Sequence, residues 1–394
     1  MNPPASPRGD ATAAASRGGP EHAAPRRHRK ARFKGLRRIV ALLLVLGLTW
    51  LGWSVGSALR APGNDSVAAK LAGWGRDHAL GPVVTWFEAA QYQASPPKIG
   101  GTPSVTLAPP ASTPKSRRTP LPAPLGSPAG TPLRGEGAWR VLEQIHGTPA
   151  ILGAFVRPDR THTSYLAGVV SMNTRLLRFQ LHPGESDPGA GNWGAATSIP
   201  PGARKGLMAT FNGGFKINEA GGGFYLNGVT KGVLQPSAAS LVFHRDGQVA
   251  IGAWGRDVGM GPGVVGVRQN LRLIVDHGTV PAAVDTNAGN SWGRTLGGGY
   301  FVWRSGAGMT RDGRLVFVYG PALSARTLAD LLQRAGCVEG MQLDINPAWM
   351  SYMYYSAGPD AANPVPHKLL SNQERPASRY FSPASRDFIA AFAR

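Results

Sequence analysis

The sequence predicts an α+β fold: a strand-rich, mixed-sheet domain with few helices, preceded by a single transmembrane helix and a Pro-rich linker. Three observations carry that prediction. Residues 39–59 run without a single charge. Residues 93–135 are dominated by Pro, Ser, Thr and Gly. From about Gly137 onward, short apolar runs alternate with Gly, Asn and Asp turns, and one segment has clear helical spacing.

The charge-free run IVALLLVLGLTWLGWSVGSAL is 21 residues long. As a helix it spans about 30 Å, the hydrocarbon thickness of a bilayer. Trp50 and Trp53 fall in its second half, where indoles favour the membrane interface. Before it stands the basic block RRHRKARFKGLRR, and after it only Arg60 and then Asp65. The positive-inside rule therefore places a tail of residues 1–38 in the cytoplasm and the remainder outside, as a single-pass protein of the cell membrane. A cleaved signal peptide is the competing reading, since Ser57 and Ala58 are small. The run exceeds the usual signal core of about 7–15 residues, which favours an uncleaved anchor.

The formal charge of +20 invites a nucleic-acid reading, and its distribution argues against one. The tail carries ten Lys/Arg against two acids, residues 93–135 carry five against none, and residues 136–394 carry 24 against 17. Most of the excess thus flanks the membrane segment instead of forming a basic face. Cys337 is the one cysteine, so no intramolecular disulfide exists and the exported domain must rest on core burial.

Residues 60–135 read as a juxtamembrane segment and a disordered Pro-rich linker. Two short helices near the membrane are expected within 65–92, broken at Gly81-Pro82. The Pro-rich stretch that follows has too few large apolar residues to offset its ordering entropy. Residues 136–394 form the folded domain. Strands are expected at 150–156, 164–172, 175–181, 206–212, 239–254, 271–278, 298–305 and 314–320, with Asp246-Gly247 as a hairpin turn. Ser324 can cap a helix in which Leu328, Leu331, Leu332 and Ala335 share a face, and Gly336 can end it. A strand at 338–345 follows, and a second helix is expected from Pro383-Ala384 through Phe388 and Phe392.

Three constellations could carry chemistry. Asn212-Gly213-Gly214 ends an expected strand, where glycines allow close backbone approach and an amide can donate and accept. Asp344 leaves a buried strand at Asp344-Ile345-Asn346-Pro347, where a carboxylate suits acid/base work and equally suits a simple Asx turn. Arg294 lies in Asn290-Ser291-Trp292-Gly293-Arg294-Thr295, where a guanidinium could grip a phosphodiester. The nine His have no metal-ligand spacing, so no metal is expected, and nothing in the sequence names a cofactor.

In order, MATFNGGFK (208–216), GFYLNG (223–228), SLVFHRDGQVAIGAWGRD (240–257), VRQNLRLIVDHG (267–278), WGRT (292–295) and LSARTLADLLQRAGCVEGMQLDIN (323–346) resemble the phosphodiester glycosidase family. The resemblance covers roughly residues 138–394. It implies hydrolysis at the anomeric carbon of a sugar held through phosphate, with a carbohydrate or glycopolymer of the envelope as partner. It also implies catalytic roles for Asp344 and Arg294 and substrate binding by Asn212, Gly213, Gly214 and Asn346. A second carboxylate is commonly needed at an anomeric centre. Asp257 is the leading candidate, with Glu219 and Asp285 behind it. Where the family has Asp-Gly-Gly, this chain has Asp344-Ile345-Asn346, a departure that either reshapes the pocket or weakens catalysis. The alternative is a non-catalytic polysaccharide-binding module using Trp349, Tyr352, Tyr354 and Tyr355 as stacking faces.

Overall fold

A computed structural model describes residues 27–61, 65–104, 121–286, 292 and 301–394. The chain divides into two units, Met1–Ser57 and Ala58–Arg394. In the first, helix α1 (Arg27–Arg60) contains a 25-residue stretch, Leu36–Arg60, apolar and long enough to cross a membrane. Most of its Leu and Val side chains are exposed, Leu42, Leu43, Leu44 and Val45 among them.

The second unit begins with α2 (Val67–Asp77) and α3 (Gly81–Ala94). Ser66 caps α2 by accepting from the Ala69 amide at 3.2 Å, and Pro82 sits in the first turn of α3, where its missing N–H costs nothing. Seventeen strands follow among the described residues. The first group is β1 (Arg140–Ile145), β2 (Thr148–Val156), β3 (Ala167–Asn173), β4 (Leu177–His182) and β5 (Leu207–Asn212). Next come β6 (Phe224–Leu226), β7 (Val229–Lys231), β8 (Ala239–His244), β9 (Val249–Ala253), β10 (Val264–Gln269) and β11 (Leu273–Val275). The short helix α4 (Ala283–Thr286) precedes β12 (Val302–Thr310) and β13 (Arg314–Leu323). Helix α5 (Ala325–Arg334) leads into β14 (Cys337–Gln342), β15 (Tyr352–Ser356), β16 (Val365–Lys368) and β17 (Phe388–Ala393).

They assemble into a seven-stranded sheet ordered β1-β2-β3-β13-β12-β14-β11 and two five-stranded sheets, β7-β6-β10-β8-β9 and β16-β15-β5-β17-β4. The strand-rich α+β architecture is as expected, and its strand pairs are antiparallel throughout where a mixed sheet was expected. The period of two explains the layering. On β13, Val316 and Val318 pack with Leu328, Leu331 and Leu332 of α5. The alternate residues Leu315, Phe317 and Tyr319 face the third sheet, where Phe317 stands 5.0 Å from Phe211 and 5.5 Å from Tyr352. Ser324 and Thr327 close α5 with a capping box, and Gly336 follows the helix at φ +89°.

Two expectations are corrected. The C-terminal segment is strand β17, not a helix. Its FIAAFA run lies between β4 and β5 and is buried on both faces along most of its length. Phe388 and Phe392 are four residues apart, which fits a helix face. A six-residue apolar run between Pro383 and the chain end, however, suits a central strand flanked on both sides. The Pro-rich linker is not wholly free either. Gly100 N donates to Thr161 O at 2.7 Å, Leu125 N to Gly137 O at 2.9 Å, and the Trp139 indole to Ala123 O at 3.1 Å. Proline removes its own donor only, so such segments can dock through the amides of their other residues, through carbonyls such as that of Ala123, and through a few apolar residues such as the buried Leu125. Residues 105–120 lie outside the described residues.

Candidate active site

The candidate site lies where β5, the end of β14 and the start of β17 meet. Asn212 is the last residue of β5 and pairs with Phe388 of β17. Its Nδ2 donates to Gly213 O at 2.7 Å and to Ser305 Oγ at 3.1 Å, and its Oδ1 accepts from Ser351 N at 3.2 Å. Ser305 Oγ in turn accepts from Asp344 N at 3.1 Å. Asn212 and Asp344 are therefore tied to one another through a single hydroxyl. With its amide fully used, Asn212 acts as the brace of the rim.

The Asp344 carboxylate is buried, with 3 % of the residue exposed. Its Oδ1 accepts from Ile345 N at 2.7 Å and Asn346 N at 2.9 Å, the Asx turn that a carboxylate before Pro347 favours. Its Oδ2 faces Arg386 Nη2 at 3.7 Å. Burial raises this carboxyl to about 6, against the pull of Arg386 and the two amides, and the Glu219 charge adds to the rise. Glu219 itself is exposed, so the charge that acts on buried Asp344 comes from a carboxylate in a different environment. Differing environments of this kind separate acid/base roles.

Arg386 is the junction. Besides Asp344, it donates through Nη2 to Gly214 O at 3.3 Å, lies 3.6 Å from Asp187 Oδ2 through Nε, and sits 5.1 Å over the Trp349 ring. Beneath it, Arg268 and Asp387 form a fully buried bidentate pair at 2.8 and 3.1 Å. Arg268 also donates to Gln269 O at 2.8 Å and to Phe215 O. This frame explains both glycines. A Cβ on Gly213 would stand 1.9 Å from Asp387 Oδ2, and one on Gly214 would stand 2.6 Å from Asn270 Oδ1. Asn270 holds the same loop by accepting from Phe215 N at 3.0 Å while donating to Gln342 O and Leu343 O. Gly213→Ala must displace the buried pair. It is expected to cost about 1–3 kcal/mol by overpacking, read as a fall in thermal midpoint and in activity together.

The structure thus brings together Asn212, Gly213, Gly214, Asp344 and Asn346, whose own Oδ1 accepts from Ala348 N at 2.9 Å. Ile345, the departure from a glycine, does not line the polar rim. It packs into a small apolar cluster with Phe215 and Ala220. Asp257 is placed elsewhere. It closes the turn after β9, accepting from Ala253 N at 2.8 Å and from Arg256 Nε and Nη2 at 2.8 Å each. Arg256 holds its carboxyl below the usual range despite partial burial, so it stays ionised. Asp285 is exposed and paired with Arg326 at 2.5 Å. Arg294 lies outside the described residues. Of its motif, Trp292 is buried and its carbonyl accepts from Gln342 Nε2 at 2.7 Å, beside β14.

Two further groupings lie outside this frame. Asp276, His277 and Glu339 present ligand-type atoms within 4.8 Å of one another. His277 Nδ1 already meets Glu339 Oε1 at 2.7 Å, and Arg256 meets Asp276 at 2.6 Å, which makes an ion-pair network. Surface clefts along β4, lined by Arg178, Gln180 and His182, contain none of the carboxylates above. Of the proposed stacking aromatics, Trp349, Tyr352 and Tyr355 are buried, and half-buried Tyr354 stacks on His367 at 4.9 Å.

Sequence reasoning missed Arg268, Asp387, Arg386 and Asp187. A faint signal existed for the first: Arg268 interrupts the apolar strand VVGVRQ, where a charge must point inward or break the sheet. The partners lie 119 residues away, where no local pattern could reveal them.

No known protein-family profile and no curated protein matches the chain. Among solved structures, it is similar to the zebrafish N-acetylglucosamine-1-phosphodiester alpha-N-acetylglucosaminidase catalytic domain auto-inhibited by its pro-peptide. The identity is 11%, the TM-score 0.40, and the match covers 65% of this chain and 88% of that one. It is also similar to a hypothetical protein from Synechocystis at 13% identity and TM-score 0.35, covering 65% and 64% of the two chains. Likeness at this level bears on neither the residues nor the chemistry of the site.

Proposed function

We propose that this chain is a membrane-anchored, extracytoplasmic hydrolase that cleaves sugar phosphodiesters at the anomeric carbon in an envelope glycopolymer or glycoconjugate. The observation that carries the reading is Asp344. It is a buried carboxylate with its proton held to about pH 6, braced by Asn212 through Ser305 and faced by Arg386 at 3.7 Å on a glycine-lined rim. The ordered motifs of the domain support the substrate class. Helix α1 and the basic block before it support a single-pass anchor with the N-terminus in the cytoplasm.

Chemistry suggests the roles. A phosphate leaving group is a weak base and departs without a proton, so the demand falls on activating water. Ionised Asp344 supplies that base, and Glu219 is the second carboxylate. Asp257, held by Arg256 in a turn, fits the role less well than Glu219. Arg294 and Arg386 are the cations available for the phosphate, with Asn212, Gly213, Gly214 and Asn346 shaping the sugar side. The binding-module alternative loses support because most of its aromatics are buried.

The test uses the full chain in detergent micelles, incubated with an N-acetylglucosamine-1-phosphodiester and with envelope glycopolymers. Release of free sugar is expected from wild type and not from Asp344→Asn. A folded wild-type protein that releases sugar from none of them refutes the reading.

A further inference from the structure

One acid in the second unit reaches far along the chain to a site of its own. Asp65, just ahead of α2, buries its side chain to 7 % exposure and pairs with Arg375 Nη2 at 2.8 Å. Its second oxygen accepts from Ser385 Oγ, 320 residues away in sequence. The carboxylate is thus held by one ion pair and one hydroxyl, with both Arg375 and the acid almost wholly removed from water. Arg375 is further held by a hydrogen bond from Nε to Ala348 O.

Further guanidinium groups stand close by, among them Arg386 with its partners Asp187 and Asp344. Trp349 meets two guanidinium groups, Arg375 and Arg386, each 5.1 Å from its ring centre. Arg379 donates to Trp349 O at 2.9 Å and to Ser351 Oγ at 3.2 Å. Ser351 is the residue whose amide Asn212 accepts. This cluster therefore adjoins the candidate centre: Ser385 is the chain neighbour of Arg386, and Arg386 faces Asp344. Burial and the nearby Arg379 push the Arg375 guanidinium down to about 10, and Asp65 works against that shift.

The helix pair bearing Asp65 is tethered a second time, by Asp77 to Lys216 at 2.7 Å. Lys216 follows the Gly213-Gly214-Phe215 loop directly. Both tethers of this segment thus land on residues that flank the centre.

We propose that Arg375, Ser385 and the adjoining Arg386 form an anion subsite that takes the phosphate of the substrate, and that the Asp65 carboxylate occupies it in this structure. Substrate phosphate and Asp65 then compete for the same groups, and the Asp65 side chain acts as an internal ligand. The assignment of the anion to a substrate rests on the hydrolase reading above. The presence of an anion site beneath Asp65 does not.

The test is calorimetric titration of the full chain in phosphate-free maltoside micelles with inorganic phosphate, dimethyl phosphate and N-acetylglucosamine 1-phosphate. Asp65→Ala is expected to tighten phosphate binding at least about tenfold over wild type, as freed charged donors become available. Adding Ser385→Ala or Arg375→Lys to Asp65→Ala is expected to reverse most of that gain. Circular dichroism melts confirm folding, and if Arg375→Lys fails to fold, Ser385→Ala decides alone. Equal binding by wild type and Asp65→Ala, or binding indifferent to Ser385→Ala, overturns the subsite. The same samples are assayed for sugar release. Ser385-dependent phosphate binding without turnover in any variant leaves the anion site standing and removes the hydrolase reading. Turnover without that binding does the reverse.

Discussion

Asp344→Asn is expected to lower kcat/KM for a sugar-1-phosphodiester by about 10²–10⁴-fold, the usual contribution of a positioned acid or base. The substitution keeps the Asx turn, because the amide oxygen can still accept from Ile345 N and Asn346 N. It removes only the titrating group and the charge facing Arg386. In wild type, kcat/KM should be flat above pH 6 and fall tenfold per unit below it, since the ionised form is the base. A limb running the other way would assign Asp344 as an acid and overturn the role argued for it.

The same residue makes a stability prediction of opposite sign. Burial raises the Asp344 carboxyl from 3.8 to about 6, so between those values the folded state binds more protons than the unfolded chain. Stability therefore falls as pH rises through that window and stays reduced above it. Asp344→Asn should be more stable than wild type at pH 7 by about 1–3 kcal/mol, less whatever Arg386 loses with its counter-charge. The gain should shrink to a few tenths of a kcal/mol near pH 3.5, where the carboxyl is mostly protonated in both states. Urea unfolding of both proteins at the two pH values measures it. A variant that loses activity and gains stability marks a group kept for function at the expense of the fold.

How much of this was legible in the sequence follows from the range of each signal. Helix α5 could be read to within a residue or two because its cap, its apolar face and its terminating Gly336 are local. The hairpin at Asp246-Gly247 is equally local, with Gly247 at φ +82° joining β8 to β9. Asn212, Gly213, Gly214 and Asp344 could be picked out because strand ends with small or polar residues are visible in one dimension. What they meet is not. The reason Gly213 must be glycine is an Asp387 oxygen brought in by β17, the strand whose Phe spacing suggested a helix. That strand also brings in Arg386 beside Asp387, and with them the electrostatic frame of the site. Asp257 drew attention as a carboxylate in a family-like motif. Its Arg256 partner is adjacent in sequence, and adjacency alone does not reveal that the pair closes a turn.

The largest stability effect should come from that frame. Arg268 and Asp387 are each completely screened from water and joined by two hydrogen bonds. Replacing Asp387 with Ala leaves a guanidinium charged and uncompensated among β-strands, which costs about 3–5 kcal/mol. That is a large share of the margin of an ordinary domain, so the variant should melt well below wild type. The double variant Arg268→Met with Asp387→Leu should recover part of the loss, because two desolvated charges disappear together. Recovery stays incomplete, since Arg268 also serves the carbonyls of Phe215 and Gln269, which would then be buried without donors. Activity should not return with stability. The Asp387 carbonyl accepts from Gly213 N at 3.0 Å, and Arg268 holds the loop that Gly214 and Phe215 form, so the rim facing Asp344 loses its support even where the fold survives. Thermal melts and sugar-release assays on the single and double variants separate the two effects. A loss below about 1 kcal/mol for Asp387→Ala would mean that the pair is not the buried, mutually dependent unit described above.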